Sequence, residues 1–266
     1  MTFQRSISSI WRYFGEIRWR LIRARFAINL ENPIIMKPFY AEDGLITSHI
    51  PVFYEDEKFM DSYRKGVATG ALNFHRGQIT WRSYINAKLA QKALTVPGDF
   101  VECGVGHGLY SLTICNYLNF ADEKKKFTLI DTFEGIPMNQ LDPTEYETAR
   151  RFNSRSYQGD YFEEVKQNFS PFPNVQLHKG VLPQILDRIT FSTGIAYLQI
   201  DLNNANAEKA VLERLLPLCT KGSVVVLDDF GYGPEFETSR RMISSYAIEN
   251  DLEIIVLPTG QGLIFP

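Results

Sequence analysis

From residue 99 onward, short apolar runs alternate with longer amphipathic stretches, a pattern that predicts strand–helix–strand units. DFVECG reads as a strand, and GHGLYSLTICNYLNF as a helix whose apolar residues Leu109, Leu112, Ile114, Tyr117 and Leu118 favour one side. KFTLID is the second strand, NVQLHKG the third and IAYLQID the fourth, the last followed by the helix ANAEKAVLERLLPL. SVVVLDD is the fifth strand, followed by a helix from about Pro234 to Ile248. LEIIVLP and QGLIFP then predict a hairpin across the Thr259-Gly260 turn. Alternation of this kind implies a parallel sheet, and the closing hairpin implies one antiparallel strand.

Before residue 99 the pattern changes. A helical stretch runs from about Phe59 to Leu94, interrupted near Gly70 and ended by Pro97-Gly98. Residues 31–60 follow no regular period. The chain therefore divides into residues 1–92, a helical cap over the rim of the sheet, and residues 93–266, the sheet domain. Within the cap, Arg5, Arg12, Arg18, Arg20, Arg23 and Arg25 alternate with Ile10, Trp11, Phe14, Ile17, Trp19, Leu21, Ile22 and Phe26. That is a basic amphipathic helix over residues 1–30. It either packs on the domain or a second subunit, or lies peripherally on an anionic membrane face. A segment from Met138 to Tyr157, rich in Thr, Glu, Arg and Asn, has no strong period and reads as a lid. Its Arg150, Arg151 and Arg155 either meet an acidic substrate group or form a solvated face. Trp81, Arg82 and His75 of the cap line the acceptor pocket or, for Trp81, join the core.

Composition narrows the class. A chain of 266 residues with 44% hydrophobic and 22% charged content is globular, and a net charge of −3 leaves no nucleic-acid footprint. Cys103, Cys115 and Cys219 show no CxxC spacing, which suits reduced thiols. No apolar run reaches the length of a membrane span, so the expectation is a soluble, cytoplasmic protein.

The candidate chemistry sits at strand ends. Glu102-Cys103-Gly104-Val105-Gly106-His107-Gly108 is a strand-to-helix turn whose glycines let a ligand approach the backbone. Asp131 closes the second strand about twenty residues on, where an acid accepts the ribose hydroxyls of a nucleotide-like cofactor or caps the following turn. Gly180, after the third strand, permits close approach beside an adenine. A dinucleotide fold would continue into a larger second half. Here the chain ends in a reversed hairpin, so S-adenosylmethionine (SAM) fits better than NAD. Seven strands with the last reversed is the pattern of class I methyltransferases, an α/β, Rossmann-like fold. Asp201 and the pair Asp228-Asp229 end the fourth and fifth strands, which a parallel sheet delivers to one rim. Three carboxylates meeting there need a cation among them, and oxygen-only ligation suits Mg²⁺ or Mn²⁺. A lysine or arginine wedged between the two acidic runs would end that proposal. Capping of the next helix is the alternative for Asp228-Asp229.

GDFVECGVGHG, LIDTFEGIP, YLQIDLN and GSVVVLDDFGY, in that order, resemble the macrocin O-methyltransferase (TylF-like) family over about residues 75–266. The resemblance implies a metal-dependent, SAM-using enzyme, commonly dimeric, that methylates sugar hydroxyls. It places metal ligands at Asp201, Asp228 and Asp229, cofactor contacts at Glu102, Gly104, Gly108 and Asp131, and a general base at Asp201. His107 offers a second proton acceptor. After its first metal aspartate the family continues with a second acid and a Tyr-Glu-Ser-Thr run, whereas this chain has Leu202-Asn203-Asn204-Ala205-Asn206. Asn203 is left to coordinate through its carbonyl or not at all. The implied function is O-methylation of a sugar or polyhydroxylated small molecule. Methylation of a catechol-type phenol, a non-catalytic SAM-binding role and an NAD-dependent sugar enzyme are the competing readings.

Overall fold

The structure, a computed structural model, describes residues 38–72 and 78–266. The basic stretch over residues 1–30 and His75 lie outside the described residues. The chain divides into two compact units, residues 1–39 with 47–49 and residues 40–46 with 50–266. In the described part of the first, Phe39 N donates to Thr47 O at 3.0 Å. The second holds the sheet and the strand ends that carry the candidate chemistry.

That second unit opens with a short ribbon, β1 (Tyr40–Glu42) and β2 (Leu45–Thr47), of which the last residue, Thr47, is counted with the first unit. Asp43 and Gly44 turn between them with φ of 53° and 74°, the backbone sign a two-residue hairpin turn requires. Helices α1 (Glu57–Val67) and α2 (Thr80–Ala93) come next. Alternation then begins: β3 (Asp99–Cys103), α3 (Leu109–Leu118), β4 (Phe127–Asp131), α4 (Tyr146–Arg155), α5 (Phe162–Asn168), β5 (Val175–Lys179), β6 (Ile195–Ile200), α6 (Ala205–Leu215), β7 (Cys219–Leu227), α7 (Glu237–Glu249), β8 (Ile255–Val256) and β9 (Gly262–Ile264). The seven-stranded sheet has the order β5-β4-β3-β6-β7-β9-β8. The first five pair in parallel, and β9 runs antiparallel to both β7 and β8. This is the Rossmann-like class I methyltransferase architecture, as the alternation of runs implied.

The strands read as unbroken apolar runs because both faces of the sheet are covered. Phe100, Leu129 and Val226 pack with Phe59, Ala87 and Ile114 of α1–α3 on one face. Their neighbours Val101, Ile130 and Val225 pack with Val211 and Leu212 of α6 and Ile243 of α7 on the other. Helices α1 and α2 thus belong to the same compact unit as the sheet. Trp81 is core, edge-on to Tyr40 and Phe53.

The segment from Met138 to Tyr157 contains a helix that its composition hid. Only Ala149 and Phe152 of α4 face the apolar patch made by Ile136 and Leu141, too few to set a visible period. The helix starts instead from a polar device. Asp142 and Glu145 form a capping box, with Asp142 Oδ1 accepting from Thr144 N at 2.9 Å and Glu145 Oε2 from Asp142 N at 3.0 Å. Arg150, Arg151 and Arg155 are exposed, which matches the solvated-face reading.

Register fixes the level of the rim. Cys103 of β3 lies opposite Ile200 of β6, and Ile200 opposite Leu227 of β7. The next residues along each strand, Gly104, Asp201 and Asp228, therefore leave the sheet side by side. Asp201 N donates to Cys103 O at 2.8 Å, and Asp228 N to Ile200 O at 3.0 Å.

Candidate active site

Above this rim lies a cavity of about 200 Å³. Gly104, Gly106, His107, Asp131, Gly180, Asp201, Asp228 and Asp229 all line it, although they come from strand ends far apart in the chain. Glu102 and Gly108 do not reach its wall. Glu102 is 1% exposed, and burial raises its carboxyl well above the usual range. Gly108 caps α3 with its Cα against the ring of Phe169.

The glycine loop has a steric reason. A Cβ on Gly104 would stand 1.7 Å from the carbonyl oxygen of Asp201, so β3 and β6 approach this closely only without one. The loop is also pinned. Asp131 Oδ2 accepts from Val105 N at 2.6 Å and Gly106 N at 2.9 Å, while Oδ1 accepts from Phe133 N at 2.6 Å and the Thr132 hydroxyl at 3.2 Å. The turn-capping alternative for Asp131 is seen, and the same carboxylate ties down the glycine loop. Of its four bonds, only the one from the rotatable Thr132 hydroxyl is free to give way to a ribose. Gly180 N donates to Asp131 O at 2.9 Å, which brings the third strand's exit to the same place.

His107 faces the lid. Its Nε2 meets Ser156 O at 3.2 Å, and its ring stacks on Tyr161 at 4.5 Å between centroids. Among the described residues it has no hydrogen bond to Asp201, Asp228 or Asp229. Tyr157, also from the lid, reaches over Gly106.

The three aspartates converge. One ligand oxygen from each of Asp201, Asp228 and Asp229 lies within 4.8 Å of the others. Burial raises the Asp201 carboxyl well above its usual range, reinforced by the charges of Asp228 and Asp229. Burial likewise pushes Asp229 up to about 7, against the opposing pull of Arg82.

Arg82 lines the cavity as the sequence suggested, but its partners there were not foreseen. Its Nη1 donates to Asp228 Oδ2 at 2.5 Å and to Asp229 Oδ1 at 3.1 Å. Its Nε donates to Asp43 Oδ2 at 2.8 Å, and its guanidinium carbon stands 4.3 Å from the centre of the Tyr232 ring. Burial disfavours this charge, but Asp228, Asp229 and Asp43 hold it firmly on the guanidinium. An arginine against two of the three ligands bears directly on the expected cation. It has no ion pair with Asp201 among the described residues. Charge decides the fit. Four carboxylates, Asp43, Asp201, Asp228 and Asp229, face one guanidinium, and an unbalanced buried excess of that size needs protons or further positive charge. A divalent cation fits this oxygen-only donor set beside Arg82, held by the three aspartates.

Asp43, Tyr110, Tyr232 and Gln261 complete the surroundings. Tyr110 Oη donates to Asp228 Oδ2 at 3.2 Å and Gln261 Nε2 to Asp228 Oδ1 at 3.1 Å. Asp43-Gly44 is legible in the sequence as a turn and Gln261 as the residue after one, but neither signal says what the turn touches.

The loop carrying Asp201 and Asn203 is braced from α6. Leu202 N donates to Glu208 Oε1 at 3.3 Å, and the Ser239 hydroxyl donates to Glu208 Oε2. Burial pushes the Glu208 carboxyl from its ordinary 4.5 up to about 7. The folded state therefore holds this proton more tightly than the unfolded chain does. Its stabilising contribution is complete below about pH 4.5 and is lost as pH rises through 7, on the order of 3 kcal/mol in all. Glu208→Gln, which cannot ionise, should gain on wild type between pH 5 and pH 8 in urea unfolding. Parallel pH profiles for the two proteins would contradict this.

Known proteins share this fold. A search of curated proteins found no significant match. Among solved structures, the O-methyltransferase NovP is 23% identical, with a TM-score of 0.56 over 69% of this chain and 78% of its own. The calicheamicin methyltransferase CalS11 is 21% identical, with a TM-score of 0.57 over 82% and 93%. A putative caffeoyl-CoA O-methyltransferase from Staphylococcus aureus is 11% identical, with a TM-score of 0.53 over 81% and 96%. At these identities the likeness is one of fold. The family model for macrocin O-methyltransferase (TylF) matches residues 85–256, a span that holds the glycine loop, Asp131 and all three converging aspartates. The chain belongs to the macrocin O-methyltransferase family, and it is an S-adenosylmethionine-dependent O-methyltransferase.

Proposed function

We propose that the protein methylates a hydroxyl of a sugar or related polyhydroxylated small molecule, with a divalent cation, Mg²⁺ or Mn²⁺, at Asp201, Asp228 and Asp229. The observation that carries this reading is the convergence of those three carboxylates at the wall of the cofactor cavity. CalS11, described as a TDP-rhamnose 3'-O-methyltransferase, shares the fold and supports a sugar acceptor. When bound, SAM supplies a methyl group on a sulfonium, and the cation lowers the pKa of a coordinated hydroxyl.

The chain's own groups do the rest. The Gly104–Gly108 loop, Asp131 and Gly180 hold the cofactor, and Tyr157 of the lid, with His107 of the loop beneath it, covers it against water. Arg82 holds Asp228 and Asp229 in place. Asp201 accepts the proton from the acceptor hydroxyl. Burial raises its basicity and ligation lowers it. His107 is the weaker candidate for that task, since its bonded nitrogen is engaged with the lid.

Calorimetry with SAM, with and without Mg²⁺, followed by methyl transfer to a panel of sugars bearing vicinal hydroxyls, tests the proposal. The expected result is a methylated sugar formed only with the cation present. Product from catechols alone would move the acceptor to a phenol. SAM binding with no product on any acceptor would point to a non-catalytic role.

A further inference from the structure

Phenols line the cavity on both sides of the glycine loop, and they differ in what their hydroxyls do. Tyr110 Oη donates to Asp228 Oδ2 at 3.2 Å and Tyr232 Oη to Asp43 Oδ1 at 3.0 Å. Tyr157, at the end of the lid, and Tyr161, just beyond it, also line the wall. Neither of their hydroxyls has a hydrogen-bond partner among the described residues.

Tyr157 is held where it stands. Its N–H donates to Phe152 O at 3.3 Å, its ring packs near that of Phe152, and the preceding carbonyl, Ser156 O, meets His107 Nε2 at 3.2 Å. Asn153 ties the same turn to the exit of β4, with Oδ1 accepting from Ile136 N at 2.7 Å and Nδ2 donating to Ile136 O at 2.9 Å. The ring edge, Cε1, lies 3.6 Å from where a Cβ on Gly106 would stand, and Gly106 N is itself held by Asp131 Oδ2 at 2.9 Å. The phenol thus covers the cofactor loop. Burial raises it above its ordinary range, and the charges that add most are those of Asp201, in the acidic cluster, and Asp131, beside the loop. For Tyr161, burial is followed by Asp131 alone among the carboxylates. Tyr157 therefore stands between the two halves of the cavity, and Tyr161 on the cofactor side.

We infer that Tyr157 is a catalytic residue whose hydroxyl oxygen touches the group being transferred, accepting a C–H···O hydrogen bond from the sulfonium methyl of bound SAM. The inference rests on the cofactor placement proposed above and is independent of the sugar and of the cation. A methyl on a sulfonium carries part of the positive charge, so its C–H bonds donate better than those of an ordinary alkyl group. A phenol that keeps its proton offers free lone pairs to such a donor, and it is too weak a nucleophile to take the methyl itself. The carboxylate of Asp131 is less suited to the task, since its oxygens are already engaged by backbone N–H groups.

Two cofactor analogues read this contact without any acceptor. Sinefungin carries a protonated amine where SAM has its sulfonium methyl, and S-adenosylhomocysteine has no group there. Calorimetric titration of the full chain with each gives their affinity ratio. Tyr157→Phe keeps the ring over Gly106 and removes one oxygen. It should lower the preference for sinefungin roughly fivefold or more, while S-adenosylhomocysteine binds within about twofold of wild type. Tyr161→Phe, on the cofactor side, should leave the ratio within about twofold of wild type. A ratio unchanged by Tyr157→Phe overturns the inference and leaves the acceptor and cation readings standing. Equal weakening of both analogues also overturns it, since that is the mark of a cover alone. An equal fall in the ratio for both variants does the same, because the effect would then belong to the wall at large. Wild type that binds neither analogue overturns the inference together with the cofactor placement.

Discussion

Asp228→Asn is expected to lower kcat by about two to three orders of magnitude while SAM binds within a few-fold of wild type. The residue stands at the centre of the site. It is 3% exposed and accepts from Arg82, Tyr110 and Gln261 at once. The amide keeps the shape and one acceptor oxygen, so the side chain stays seated. The charge that would hold the cation disappears, and one oxygen is replaced by an N–H pointing at a neighbour that also donates. Cofactor binding should survive because the glycine loop and Asp131 are tied to one another and not to Asp228. Steady-state kinetics of wild type and variant, with and without EDTA, and calorimetry with SAM make the check. Wild-type turnover by this variant in EDTA would remove the metal from the mechanism.

The second large effect concerns a residue with no side chain. Gly104→Ala should destabilise the protein by at least about 4 kcal/mol and lower Tm by roughly 8 °C or more. Its φ of 87° alone costs an alanine about 1–2 kcal/mol. The added Cβ would also overlap the Asp201 carbonyl, at 1.7 Å from its oxygen and 2.5 Å from its carbon. Neither partner can yield cheaply, because Gly104 N and Asp201 N are both engaged in the backbone ladder of the central strands. Gly159→Ala is the matched control: its φ is 74° and nothing lies within 4 Å of the added carbon, so only the backbone cost of about 1–2 kcal/mol remains. Equal thermal stability of the two variants would refute the close-approach argument.

The first of these predictions depends on the terminal hairpin as much as on the parallel strands. Gln261, between the Thr259-Gly260 turn and β9, donates to Asp228 and also to Asn86 Oδ1 at 2.9 Å. Asn86 in turn donates to Gln199 Oε1 at 3.2 Å, and Tyr197 Oη donates to the same atom at 2.8 Å. A buried amide chain therefore runs from β6 through α2 and the hairpin to the central carboxylate. This gives the reversed strand a role at the site beyond closing the sheet.

The order of the strands after residue 99, with helices α3, α6 and α7, was readable because apolar spacing is a local property of the chain. The same is true of the rim. Parallel strands of matched register bring the residues just past Cys103, Ile200 and Leu227 to one level, so the meeting of Asp201 with Asp228-Asp229 could be expected from residue order. Helices α4 and α5 were not read: α4 follows a polar capping box at the turn ahead of it and rests on one buried and one half-buried side chain, Ala149 and Phe152, in place of an apolar stripe.

Linear order could not show which neighbours those carboxylates would have. Arg82 lies 146 residues from Asp228, and Asp43 lies 39 residues from Arg82. Nothing in the composition of α2 or of a surface turn marks either as part of a charge cluster. An ion pair between distant segments forms only where packing of α2 on the sheet brings a guanidinium and four carboxylates into one buried space, and there the low dielectric makes the pairing obligatory. The sequence thus dictated the fold, the cofactor loop and the three acidic positions. Packing in three dimensions supplied the counter-charge.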